Sequence, residues 1–132
     1  MSQNTDTVQA IYQAFGSGDV AAILARLAPN VEWEHDWGGK QLKWYKSRSG
    51  RESVAGFFKD IADFEFNRFE PVAFLEGSNM VAVPIHLDVV LKANRRRIKD
   101  LEVHLWTFGG DGLVTRMRHV VDTWQFAEAL QG

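Results

Sequence analysis

Apolar residues recur at helical spacing early in the chain and at every second position through most of its later half. Val8, Ile11, Tyr12 and Phe15 share one helical face, with Asp6 placed to cap the helix and Gly16 and Gly18 to stop it. Asp19 can cap a second helix carrying Val20, Ile23, Leu24 and Leu27, which ends before Pro29. Ser49 and Glu52 have capping-box spacing ahead of Val54, Phe57, Phe58 and Ile61, which predicts a third helix. Trp124 to Leu130 reads as a short closing helix.

Alternation predicts the strands. Val31, Trp33, His35 and Trp37 share one face of a first strand, and Glu32, Glu34 and Asp36 share the other. Leu42 to Ser47 is placed to pair with it. Phe64 to Leu75 is strand-like but interrupted by Pro71. Val81, Val83, Ile85, Leu87, Val89 and Leu91 form an unbroken apolar row, with Pro84 opposite, where a residue lacking an N–H needs a bulge or an edge. Leu101 to Phe108 and Leu113 to Asp122 are two further strands, joined by a hairpin turn at Gly109, Gly110, Asp111 and Gly112. Adjacent hairpin strands make a meander. Helices grouped ahead of them predict an α+β domain whose curved antiparallel sheet wraps the N-terminal helices and leaves a cavity at its concave face.

Length and composition narrow this picture. The 132 residues match one domain, and 45% hydrophobic residues supply a core without staples. The absence of cysteine removes disulfides, thiolate metal sites and cysteine nucleophiles, and fits a reducing, cytoplasmic setting. Ser2 to Asp6 are polar, so no signal peptide is expected, and no apolar run approaches a membrane span. A net charge of -2 gives no basic field for nucleic acid. The basic run of Lys92, Arg95, Arg96, Arg97 and Lys99 lacks interleaved aromatics and reads as a solvated hairpin tip.

Several segments occur together in one order. They are Ile11 to Phe15 with Gly18-Asp19, Leu27 to Trp33, Gly50 to Phe58, and His104 to Phe108 continuing through Gly112 to Val121-Asp122-Thr123. In these the chain resembles the nuclear transport factor 2-like superfamily, in particular its SnoaL-like and ketosteroid-isomerase-related members. The resemblance spans nearly the whole chain. It implies a cone of sheet and helices enclosing one pocket, usually within a homodimer. It does not imply one activity, because the scaffold hosts isomerases, cyclases, hydrolases, dehydratases and binding domains.

The resemblance also locates candidate chemistry. Steroid isomerases of this kind place an Asp base at the position of His35 and a protonated Asp donor at that of His104. Their catalytic Tyr falls at Ile11, one residue from Tyr12, and a supporting Tyr falls at Phe58. All four polar positions differ, so authentic steroid isomerisation is not expected. Two histidines in an apolar pocket instead point to proton transfer at a carbon acid, and at least one should titrate below about 6.5. Alternation and the resemblance together put His35, His104 and His119 inward, with Trp33, Trp37, Phe57, Trp106, Met117 and Val121 as ligand-contacting walls. Asp122 is either a base or the cap of the closing helix. Each histidine lies on a different strand without ligand spacing, so no metal is expected, and no organic cofactor is needed.

Two readings of function stand. One is an isomerase, cyclase or lyase using histidine acid–base chemistry on a small hydrophobic carbonyl compound. The other is a non-catalytic domain that binds a small hydrophobic molecule. A hydrolase using Asp122 or Asp36 on water is a third. In each, a homodimer forms through the convex sheet face, where Val103, Leu105, His86 and Asp88 are expected to lie.

Overall fold

A computed structural model describes residues 3–35 and 42–131. Helix α1 (Gln3–Gly16) packs beside the short α2 (Val20–Leu24). Strand β1 (Leu27–Trp33) follows, then a 3-10 turn at Lys43–Tyr45, the two-residue β2 (Arg48–Ser49) and α3 (Arg51–Asp60). The rest is β3 (Phe64–Pro71), β4 (Leu75–Glu76), β5 (Met80–Leu91), β6 (Arg97–Phe108), β7 (Val114–Val120) and α4 (Thr123–Gln131). This is the α+β arrangement that the apolar pattern predicts.

The sheet runs β2-β1-β7-β6-β5-β3, with β4 also on β5. Strands β5, β6 and β7 form the antiparallel meander, and β3 extends it. One pairing differs from expectation: β1 joins β7 in parallel, so the curved sheet is mixed. The long crossover from β1 through α3 and the meander brings the chain back beside its start in the same direction.

The apolar row of β5 is buried as its alternation requires: Val81, Val83, Ile85, Leu87, Val89 and Leu91 all lie in the core. Val8 and Ile11 of α1, Ile23 of α2, and Val54 and Phe57 of α3 close over that concave face. Each such side chain contributes about 1.5–3 kcal/mol on burial, which holds the helices to the sheet. Pro84 sits in the interior of β5 without a bulge. Its carbonyl accepts from Val72 N–H at 2.9 Å, opposite the break between β3 and β4. In a strand the N and O of one residue face the same neighbour, so the missing N–H falls at the interrupted edge.

Several local expectations change: Asp6 lies within the first turn of α1 rather than capping it, and Leu27 opens β1 rather than closing α2. The capping box is not formed: Gly50, at φ 87°, is the N-cap of α3, and the Ser49 hydroxyl pairs with His35 instead. Leu42 to Ser47 holds a 3-10 turn, and only Arg48 and Ser49 pair with β1. Asp19 does cap α2, accepting from Ala22 N–H at 3.1 Å.

Candidate functional site

Strands β6 and β7 place His104 directly opposite His119. Both are buried, with ring centroids 4.3 Å apart in an edge-to-face arrangement. They line a cavity of about 60 Å³ inside the cone, whose other walls include Trp33, Phe57, Trp106 and Met117. These six are where the sequence places them.

Each histidine is held by a buried glutamate. His104 Nε2 lies 2.9 Å from Glu102 Oε1, and its Nδ1 lies 2.9 Å from the Tyr12 hydroxyl. Trp106 Nε1–H donates to the same hydroxyl at 3.0 Å. Burial pushes the His104 pKa down, and the neighbouring His119 charge adds to this against the pull of Glu102. The ring is therefore neutral near pH 7. A carboxylate only accepts, so the single proton sits on Nε2 and donates to Glu102, and Nδ1 accepts the Tyr12 O–H. Burial raises the Tyr12 pKa, so the phenol stays protonated.

His119 is different. Its Nδ1–H donates to Glu34 Oε2, and its backbone N–H donates to Glu34 Oε1 at 2.8 Å. Burial alone disfavours the imidazolium, but the charge and hydrogen bond of Glu34 outweigh it, with help from Glu102, and the pKa is raised. Among the described residues its Nε2 makes no hydrogen bond. For Glu102, burial is the largest influence and favours the neutral acid. His104 and His119 together overcome it and hold the carboxyl below its ordinary range. The cross-strand pair thus sets His104, whose burial favours the neutral ring, beside His119, whose glutamate partner favours the imidazolium, with the carboxylate form favoured at Glu102.

Three of the predicted residues are not in this site. His35 is exposed and its Nε2 pairs with Ser49 Oγ at 2.9 Å. The cause is Glu34, which adopts φ 61° at the end of β1. That left-handed turn breaks the alternation, so Glu34 goes fully inside (0% exposed) and His35 goes out. Asp122 is exposed and caps α4, its carboxylate accepting from Gln125 Nε2 at 2.9 Å and, more weakly, from Gln125 N–H at 3.5 Å. The cap alternative is therefore the one the geometry favours. Val121 is half-buried against the core beside the cavity rather than on its wall. Trp37, like Asp36, lies outside the described residues.

The sequence reading also missed polar members of the site. Glu102 stands two residues before His104 and so shares its face, a signal present in the alternation itself. Tyr12 replaces the phenol expected at Ile11: one step along the helix, its hydroxyl still reaches His104. Glu34 carried no such signal, because strict alternation puts it outside. Among the described residues no cluster of three or more His, Cys, Asp or Glu could hold a metal ion, and no helix is long and apolar enough to cross a membrane.

Among solved structures, the chain is similar to an NTF2-like protein of unknown function from Burkholderia pseudomallei, at 27% identity and TM-score 0.87 over 100% of both chains. It is similar to an NTF2-like protein from Burkholderia xenovorans at 25% identity and TM-score 0.81, over 96% of this chain and 95% of that one. TerC, co-crystallised with polyporic acid, is similar at 27% identity and TM-score 0.81, over 99% of this chain and 100% of that one. No curated protein matched the chain. The SnoaL-like domain profile matches residues 8–117, the stretch that carries β1, α3, β6 and the start of β7 with Glu34, Glu102 and His104; His119 lies just beyond it. The chain belongs to the SnoaL-like domain family, with the NTF2-like fold.

Proposed function

We propose that the protein catalyses proton transfer, as an isomerase, cyclase or lyase without an organic cofactor, on a small apolar carbonyl compound held in the cone. One observation carries the reading. Glu102, whose buried Oε2 has no hydrogen-bond partner among the described residues, and His119, whose Nε2 makes no hydrogen bond among them and whose pKa is raised, line the same apolar cavity. An acid and a base separated by environment rather than by residue type are what enolisation needs. Glu102 Oε2 takes the proton from carbon α to the carbonyl. His119 Nε2–H gives its proton to the developing enolate oxygen. Return of a proton at a different carbon completes an isomerisation, and loss of a leaving group from the enol completes an elimination. His104 orients the base through Nε2–H, and Tyr12 fixes the His104 tautomer. TerC, a structure similar to this chain, was co-crystallised with polyporic acid, which supports a ligand-holding role for the cone.

The test is exchange of the α-hydrogens of 2-tetralone in D2O, followed by proton NMR. The wild-type protein should accelerate it, and Glu102→Gln and His119→Ala should each lower the rate by about 10²-fold or more, with thermal unfolding as the control for fold. Binding of 2-tetralone without any acceleration would favour the non-catalytic binding domain.

A homodimer through the convex face belongs to the same proposal. Leu101 and Val120 are exposed there, and Val103 and Leu105 are half-buried, which makes an apolar stripe on β6 and β7. Light scattering at micromolar concentration should give twice the chain mass; the mass of one chain would refute this.

A further inference from the structure

Two residues of the cavity wall each carry a buried polar atom whose hydrogen-bonding capacity is unused among the described residues. One is the indole Nε1–H of Trp33 and the other is Glu102 Oε2. Trp33 is 1% exposed and Glu102 3%, so bulk water does not serve either. A buried polar group without a partner is costly, which makes each a demand on whatever fills the cavity. The two demands have opposite sign. An indole N–H only donates, and a carboxylate only accepts. They also flank the histidine pair: Trp33 stands 6.1 Å from the His119 ring, and Glu102 is bonded to His104.

The remaining surroundings are apolar. Phe15, Phe58, Ile61, Phe64 and Phe66 line both the cavity and an adjoining surface recess, so they form its mouth. Phe66 is the most open of them, at 39%. Pockets for drug-sized ligands hold about 300 Å³ or more, well above this cavity's volume of about 60 Å³, so a ligand is small or parts these side chains.

We infer that the cavity selects a flat, single-ring apolar compound with an acceptor oxygen for Trp33 Nε1–H and, across the ring, a hydroxyl for Glu102 Oε2. Trp33 thereby becomes a specificity-determining hydrogen-bond donor and not only an aromatic wall. The Glu102 half rests on the proton-transfer reading above, since it uses the same carboxylate oxygen. The Trp33 half does not. Further hydroxyls on the ring would lose water against the phenylalanines without gaining a partner, so a polyol such as a sugar is disfavoured.

Four matched probes test this with the 15N-labelled full chain: ethylbenzene, acetophenone, 4-methylacetophenone and 4-hydroxyacetophenone. The Trp33 indole resonance is assigned by its loss in Trp33→Phe. Acetophenone should shift that resonance downfield and bind roughly three- to tenfold tighter than ethylbenzene, the range of one hydrogen bond. Trp33→Phe should erase the preference while still binding ethylbenzene, which also shows that the cavity survives. The hydroxy compound should bind tighter than its methyl isostere by a similar factor. Equal binding of ethylbenzene and acetophenone, no binding of any probe, or a ketone preference kept in Trp33→Phe would overturn the Trp33 assignment. Should that variant not fold, the Trp33 indole resonance is assigned instead by its through-space contacts to the Phe57 and His119 rings, and an unmoved resonance in the wild type decides against it. No preference for hydroxyl over methyl would overturn the Glu102 half. Proton transfer is read separately: intact probe selectivity with no 2-tetralone exchange defeats catalysis alone, and exchange without selectivity defeats this inference alone.

Discussion

The two histidines of the site and the glutamate that charges one of them come from regions built in different ways. His104 lies in the middle of β6 with strands paired on both sides, and His119, near the end of β7, is paired directly opposite it, so the hairpin register leaves neither side chain a choice of face. Glu34 lies one residue past the end of β1. There its N–H still bonds Met117 O at 2.9 Å, but its backbone has turned left-handed, and its carbonyl accepts from Ser47 Oγ. The first region obeys the period of two. In the second, one residue at φ 61° exchanges an expected histidine for an unexpected glutamate. A strained non-glycine backbone of this kind persists only where the surroundings hold it. Here the hold comes from both Glu34 oxygens, which are bonded to His119.

The largest way to break that contrast is Glu34→Ala. It leaves the His119 imidazolium buried without its counter-ion and its backbone N–H without an acceptor. Removing one partner of a buried pair costs about 3–5 kcal/mol. Urea unfolding should show a loss of that order. A loss under about 1 kcal/mol would mean that the fold does not depend on the strand-end turn.

The mid-strand region is sharpened by titration. The His119 pKa is raised, so its pairing stabilises the fold fully below the unfolded value of about 6.5 and is lost as pH rises through the folded value. The His104 pKa is lowered, so below about 6.5 the unfolded chain binds a proton that the fold refuses, and stability falls as pH drops toward the folded value. The two slopes oppose each other. NMR of the ring resonances should place His104 below the reference and His119 above it. Each unit of separation from the reference is worth about 1.4 kcal/mol. In Glu34→Ala the His119 contribution reverses, and stability should climb with pH between about 5.5 and 7.5 more steeply than in the wild type. Two histidines titrating together near 6.5 would remove the acid–base asymmetry on which the proposed chemistry depends.

What could be read from the sequence follows the same line. The burial of β5 follows from periodicity, as does the sharing of faces by His104 with Trp106 and by Met117 with His119; the resemblance names those faces as the concave ones, and in the structure these residues lie at the cavity with Trp33 and Phe57. Glu102 obeys the same period but is a charged residue, and only its neighbours, His104 and His119, explain why it is inside. Tyr12 belongs to the apolar face of α1, yet the length of a phenol, not its helical position, delivers its oxygen to His104. The parallel β1–β7 pairing and the turn at Glu34 depend on contacts between residues about 85 apart in the chain, and no local pattern encodes them. Ser49 is a similar case. Its spacing to Glu52 suits a capping box, but Gly50 takes the cap and the hydroxyl goes to His35.

The smallest effect is expected at His35, and it completes the contrast. The resemblance and strict alternation both assign His35 the base position, so on the sequence alone His35→Ala removes the catalyst. In the structure its ring is exposed and makes one hydrogen bond, to Ser49 Oγ, outside the cavity. An exposed hydrogen bond contributes little, because water replaces the lost partner. His35→Ala should therefore change stability by no more than about 0.5 kcal/mol, leave the His104 and His119 titrations unmoved, and leave 2-tetralone exchange within about twofold of the wild-type rate. The measurement discriminates because the two neighbouring substitutions give opposite results: Glu34→Ala is severe and His35→Ala is silent. If His35→Ala instead abolished exchange with the fold intact, the left-handed turn at Glu34 would not describe the working protein, and the base would return to the position that alternation assigns it.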